Sequence, residues 1–252
     1  MKDKEIKAMN NILLVGLPGV GKTAIVEEEY GDKLVKVLVS SMVEEDISGL
    51  PYREGNQEKR TEPLIFKRIK EASQKGDCCL FLDELDKGRQ EVVDTLLTLV
   101  YSRKVGEWEL PNNCQIIAAC NPPEAGGGEG ISEAMQTRFS VVKFEPCVDK
   151  FVSWLRKAYP NAENIAKAVE SGELNIMNDA VGEGLDRRVT NPRTIEMAIN
   201  AKSNSFATRE KIIEGLVAPR AVSFFLTQSE AEKKSIEVAL NASRGHRLVR
   251  GS

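Results

Sequence analysis

Short apolar runs alternate with amphipathic stretches over the first half of the chain, the pattern of a parallel sheet covered by helices. Residues 11–15, NILLV, predict a strand, then a glycine-rich turn and a helix over residues 21–30 that Gly31 ends. A second strand is expected over residues 34–39. A third, over 78–82, is apolar throughout, which implies burial on both faces. Between them the spacing predicts a helix over 62–75 with Leu64, Ile65, Ile69 and Ala72 on one face and Gly76 as its stop.

Residues 91–102 read as the next helix and 103–113 as a projecting hairpin. Strands are expected over 115–119 and 140–144. Pro146 marks a boundary, beyond which only helical spacing is visible, for example over 150–158, 162–170 and 193–202. The expected organisation is an α/β core over residues 1–146 and a smaller, all-α lid domain over residues 147–246. Residues 247–252 resemble a vector-derived tail and are set aside. The glycine cluster Gly126, Gly127, Gly128 and Gly130 reads as a short mobile loop.

With 41% hydrophobic and 29% charged residues, the composition is that of a soluble globular protein. A net charge of −3 gives no electrostatic reason to expect a nucleic-acid surface. The charged first ten residues lack the apolar run of a signal peptide, and no later stretch is long enough to span a bilayer, so a cytoplasmic location is expected. Cys78, Cys79, Cys114, Cys120 and Cys147 form no CxxC pair. With one histidine in the chain they read as reduced, mostly buried thiols and not as a zinc site.

The chemistry is carried by a few segments. Gly16, Leu17, Pro18, Gly19, Val20, Gly21, Lys22 and Thr23 fit the P-loop pattern, followed by Ala24 at the start of the expected helix. A polyphosphate needs main-chain N–H groups aimed inward from an unobstructed turn, a helix N-terminus, a lysine for the outer phosphates and a hydroxyl for Mg²⁺. The glycines, Lys22 and Thr23 supply these, so ATP and Mg²⁺ are the expected ligands. Leu80, Phe81, Leu82, Asp83 and Glu84 deliver two carboxylates at the end of a strand, where open α/β sheets bind ligands. Asp83 would join Thr23 in holding the metal, and Glu84 would polarise the attacking water. The alternative is that these carboxylates and Asp86 cap the next helix.

Asn121, in Cys120-Asn121-Pro122-Pro123, ends the neighbouring strand, where its amide could orient water or touch the γ-phosphate. Arg138 precedes the last strand, placed to act as an arginine finger on a neighbouring subunit's nucleotide. Arg193 opens a helix of the second domain and could close it onto the γ-phosphate. Surface ion pairs are the competing reading for both.

Together these segments resemble the MoxR-like branch of AAA+ ATPases, including the CbbQ type, over most of residues 11–202. The resemblance implies a P-loop NTPase (AAA+) fold, with residues 16–23 as Walker A, Asp83 and Glu84 as Walker B, Asn121 as sensor 1, Arg138 as the finger and Arg193 as sensor 2. It also marks residues 46–53 and 105–111 as hairpins facing a pore or client, with Tyr52, Arg53 and Trp108 as contact candidates. Packing is the equal alternative for Trp108. Arg187 and Arg188 have no assigned role.

The expected activity is ATP hydrolysis by a ring-forming homo-oligomer, a hexamer in this family, that remodels a protein complex. The family's partner is often a von Willebrand factor A domain protein. A nucleic-acid motor on the same core, using Arg53, Lys59 and Arg60, and a nucleotide-gated scaffold with little turnover are the alternatives.

Overall fold

The structure, a computed structural model, describes residues 11–125, 131–177, 179–183, 187–201 and 205–226. The first ten residues, the glycine cluster and the terminal tail singled out above lie outside the described residues. The described residues fall into two compact units, one ending at Phe144 and the other starting at Glu145.

The first unit runs β1 (Ile12–Val15), α1 (Lys22–Tyr30), β2 (Leu34–Leu38), α2 (Glu45–Ser48), β3 (Pro51–Glu54), β4 (Gln57–Arg60), α3 (Leu64–Ser73), β5 (Cys78–Asp83), α4 (Gln90–Ser102), β6 (Lys104–Val105), β7 (Trp108–Glu109), β8 (Cys114–Cys120), α5 (Glu133–Gln136) and β9 (Ser140–Lys143). Five strands form one sheet in the order β2-β5-β8-β1-β9, every pair parallel. The side-chain period of two sorts each central strand between two cores. Leu13, Cys78, Leu80, Leu82, Ile116 and Ala118 pack towards the face that also buries Ile65, Phe66, Leu96 and Leu99. Leu14, Cys79, Phe81, Ile117 and Ala119 pack with Val26 of α1. The parallel order brings the C-terminal ends of β1, β5 and β8 side by side.

Leu64 does not join the buried face of α3. It is 69% exposed, and Phe66, 1% exposed, takes that place. Leu64 is the first helical residue after Pro63, whereas Phe66 stands three residues before Ile69 and so shares its stripe. The insertion after α2 is an antiparallel hairpin, β3 with β4, in which every residue is exposed. Its base is fixed. Arg60 Nη1 donates to Ser48 Oγ (2.7 Å) and to the Gly49 carbonyl (3.0 Å), and Thr61 N–H donates to the Leu50 carbonyl (2.9 Å). The second hairpin, β6 with β7, keeps Trp108 half-buried against the core with Lys70 over its ring at 5.8 Å, which favours the packing reading of that residue.

The second unit contains α6 (Val148–Ala158), α7 (Glu163–Glu170), β10 (Asp179–Val181), β11 (Arg188–Thr190), α8 (Pro192–Asn200) and α9 (Phe206–Leu216). It is helical in the main, with a core that includes Val152, Leu155, Ile165, Ile195, Ile213 and Phe225. The expectation of helices alone needs correcting, because β10 and β11 pair as an antiparallel hairpin. Strands of three residues are too short for alternation to register in the sequence. Asn191 caps α8 through its side chain in a reciprocal pair with Thr194, and Pro192 follows at the first helical position.

Gly49 sits at φ +77, and a Cβ there would lie 2.0 Å from the Thr61 carbonyl oxygen. Gly49→Ala is therefore expected to lower stability by about 1–3 kcal/mol, read as a lower urea midpoint with unchanged m-value. An unchanged midpoint would mean that the hairpin base gives way freely.

Candidate nucleotide-binding site

The P-loop follows β1 and closes against the end of the sheet. Gly16 N–H donates to the Cys120 carbonyl at 3.3 Å. A Cβ on Gly16 would lie 2.4 Å from the Phe144 carbonyl oxygen, so this glycine answers to close packing of two backbones. Gly19 and Gly21 have φ of +80 and +101, the left-handed region that glycine enters without strain. Gly21 is the cap residue of α1, and no side chain caps that helix. Its first turn thus presents main-chain donors to a ligand. Val20 is buried, Gly19 half-buried, and Leu17, Pro18 and Ala24 are exposed.

Lys22 is only 8% exposed. Its ammonium donates to the carbonyls of Gly16 (2.5 Å) and Leu17 (3.0 Å) and to Asn121 Oδ1 (3.0 Å). Thr23 Oγ1 donates to Asp83 Oδ2 at 2.9 Å, and Asp83 Oδ1 accepts from the Glu84 N–H at 3.0 Å. The sheet thus brings Lys22, Thr23, Asp83 and Asn121 together from three strand ends. The fit to Mg²⁺ is chemical. A hydroxyl and a carboxylate in contact form the short all-oxygen set that this cation takes when phosphates and water complete its shell. Among the described residues no cluster of three or more His, Cys, Asp or Glu offers an alternative cage.

Glu84 is held differently from its neighbour. Its backbone is left-handed, at φ +54 and ψ +45, which costs a non-glycine residue about 1–2 kcal/mol. Ser40 Oγ donates to its Oε2 (2.9 Å), and Lys87 Nζ pairs with its Oε1 (2.9 Å). Sequence reasoning missed both partners. Lys87 has the visible signal of i,i+3 spacing, whereas Ser40 lies 44 positions away and has none.

Asp86 corrects a second expectation. It does not cap α4, whose cap residue is Arg89 and which has no side-chain cap. Its Oδ1 instead accepts from the main-chain N–H of Asn121 at 3.3 Å.

Arg138 stands apart from this group. Its guanidinium lies over the Tyr101 ring at 5.1 Å and donates to the Ala134 carbonyl and to Thr137 Oγ1. Its Nε is buried with no hydrogen-bond partner among the described residues. Arg193 belongs to the second unit, exposed in the first turn of α8. Arg187 is exposed there too, and Arg188 lies in β11.

The P-loop geometry, the neighbouring carboxylates and the strand order converge with a family match over residues 11–139, just over half of the chain. The chain belongs to the AAA domain family, dynein-related subfamily. Among curated proteins, the chain is 37% identical over 107 residues to an ATP-dependent zinc metalloprotease FtsH homolog of Oltmannsiellopsis viridis, covering 38% of this chain and 4% of that protein. The chain is 27% identical over 164 residues to Midasin of Giardia intestinalis, 60% of this chain and 3% of the relative. It is also 40% identical over 85 residues to the chaperone protein ClpB of Rickettsia prowazekii (strain Madrid E), 30% of this chain and 9% of the relative. The chain thus spans less than a tenth of the length of each. Two mutant forms of Thermotoga maritima RuvB superpose at 12% identity, covering 88% of this chain and 62% of theirs, with TM-scores of 0.45 and 0.46.

Four of the five cysteines lie inside this AAA unit and are buried, and Cys147 is exposed. Burial pushes the Cys120 thiol up to about 11. The Asp86 charge adds to the shift and the Lys22 charge opposes it. Burial likewise pushes Cys114 up to about 12 and raises Cys78 and Cys79. A raised thiol stays protonated and unreactive below its own pKa. At pH 8 the native protein is therefore expected to react fast with Ellman's reagent at one thiol, Cys147, and at all five after unfolding. Two or more fast thiols would contradict this burial.

Proposed function

We propose that this chain binds Mg-ATP at the P-loop and hydrolyses it as a subunit of a ring-forming AAA+ motor of the MoxR-like type that remodels a protein assembly. The observation that carries the reading is the meeting of Lys22, Thr23, Asp83 and Asn121 at the mouth of one parallel sheet. Lys22 would hold the outer phosphates, and Thr23 and Asp83 would hold the metal, which would supply positive charge against that developing on the phosphates. Glu84 orients the attacking water and accepts its proton, and Asn121 contacts the γ-phosphate.

Arg138 acts in trans on a neighbour's nucleotide. Its half-buried guanidinium is planar and always charged, as stabilising a transferred phosphoryl group requires. Arg193 serves as the sensor of the second unit, and that unit acts as the lid. A hexameric ring, a cytoplasmic location and an adaptor with a von Willebrand factor A domain are the finer parts of the proposal, carried by resemblance.

A protein client is favoured over nucleic acid by the charge pattern of the β3–β4 hairpin. Arg53 pairs with Glu58 at 3.7 Å, Lys59 pairs with Glu54, and Arg60 is tied to the hairpin base. These bases face their own acids, which leaves little charge for the phosphate contacts that dominate nucleic-acid affinity.

Glu84→Gln keeps the shape of the side chain and removes its basicity. It is expected to lower phosphate release about 100-fold or more with ATP affinity retained. Equal rates in wild type and variant would leave the scaffold reading standing. Light-scattering mass with and without Mg-ATP should show a nucleotide-dependent ring, and a monomer with full activity would remove Arg138 from the trans role.

A further inference from the structure

We propose that Asp86 is a positioning residue for the nucleotide site, fixing Asn121 through its main-chain N–H and so setting the amide that meets Lys22. The inference rests on reading Asn121 as the γ-phosphate contact.

The sheet ladders stop just short of Asn121. The β5–β8 register ends at Leu82 with Ala118, and the β1–β8 register ends at Val15 with Cys120. The N–H of Asn121, the residue after β8, therefore lies beyond strand pairing, and a half-buried N–H still favours a partner. Asp86 supplies it at 3.3 Å, reaching from the tight turn Leu85–Lys87 that follows β5. One side chain thus couples the ends of two strands. On the other side of the same residue, Asn121 Oδ1 accepts from Lys22 Nζ at 3.0 Å. The relay runs from a carboxylate through a main-chain N–H and a side-chain amide to the P-loop ammonium.

Two further observations weigh against a merely structural aspartate. No side chain caps α4, so helix capping does not account for Asp86. The residue is 8% exposed, and its Oδ2 is buried with no hydrogen-bond partner among the described residues. A buried carboxylate oxygen without a donor is costly, and an apolar residue of similar volume would avoid the cost. Its charge acts on the Cys120 thiol in opposition to that of Lys22, which puts both ions beside the residue preceding Asn121.

The test is steady-state ATP hydrolysis by the full chain. Asp86→Leu removes both oxygens without opening a cavity and takes the acceptor away from the Asn121 N–H. Asp86→Ala removes them with a cavity, so the leucine variant keeps the test alive if alanine fails to fold. Either is expected to lower kcat at least about 10-fold with KM within about 3-fold. Asp86→Asn, which retains an oxygen for the Asn121 N–H, should recover to within about 3-fold of wild type. Combined with Asn121→Ala, Asp86→Leu should add less than about 2-fold to the loss, because both act through one contact.

Multiplying losses, or an Asp86→Leu kcat within about 2-fold of wild type, would overturn the proposal. If Asn121→Ala is impaired and Asp86→Leu is not, only this inference falls. If the wild type shows no magnesium-dependent turnover, it is the hydrolytic reading that falls. The relay is then read from the preference for mant-ATP over mant-ADP, expected to drop at least about 3-fold in Asp86→Leu. An unchanged preference overturns it.

Discussion

The site depends on one constraint, that the loop after β1 and the end of β5 stay in contact although β8 lies between the two strands in the sheet. The hydrogen bond from Thr23 to Asp83 spans that gap at 2.9 Å, and Lys22 closes the nearer one by reaching Asn121 at the end of β8. Both lysine and threonine open α1, so the position of this helix settles where a cation and a hydroxyl meet the strand ends. Val26, buried with Phe81 and Ile117, holds the helix to its face of the sheet. Packing of apolar residues on one face thereby fixes polar geometry at the edge, which is why a parallel sheet with both faces covered can carry such a site.

Much of this was legible in the sequence, for a physical reason. Strands buried on both faces must be continuously apolar, so 12–15, 78–82 and 116–119 stand out as runs, and the residues that end them stand out as candidates. What stayed hidden has no such signature. The β3–β4 hairpin buries none of its side chains, so no alternation marks its two strands even where the segment resembled an insertion. The β10–β11 pair is too short to show a period. Leu64 was misplaced because a stripe drawn by residue type alone favoured it over Phe66, although only Phe66 has the spacing that meets Ile69. Ser40 and Asp86 reach their partners across loops, through contacts 44 and 35 positions apart, and nothing local records such distances.

Membership of the dynein-related AAA subfamily and the sheet order point the same way, while each curated relative extends far beyond the matched region. The family match lies within the first unit, and a shared fold does not by itself fix what the chain acts on. Within the matched region this chain carries two hairpins. One is charged along its length and internally paired; the other is anchored by Trp108 in the core. Arg60 and Gly49 fix the base of the first.

The turn after β5 shows how environment divides labour among chemically similar groups. Within four residues stand three carboxylates, which composition and spacing treat alike. Asp83 meets a hydroxyl and a main-chain N–H, the company of a metal ligand. Glu84, turned away by its left-handed backbone, meets Ser40 and Lys87 through its two carboxylate oxygens. Asp86 is buried and answers to the next strand. Had Glu84 adopted an ordinary extended conformation, its side chain would have followed the strand's alternation into a buried face, where an unpaired carboxylate is not tolerated. The strained backbone at this one position is thus what allows three adjacent acids to serve three different partners, and its cost is small beside that of burying a second unpaired charge.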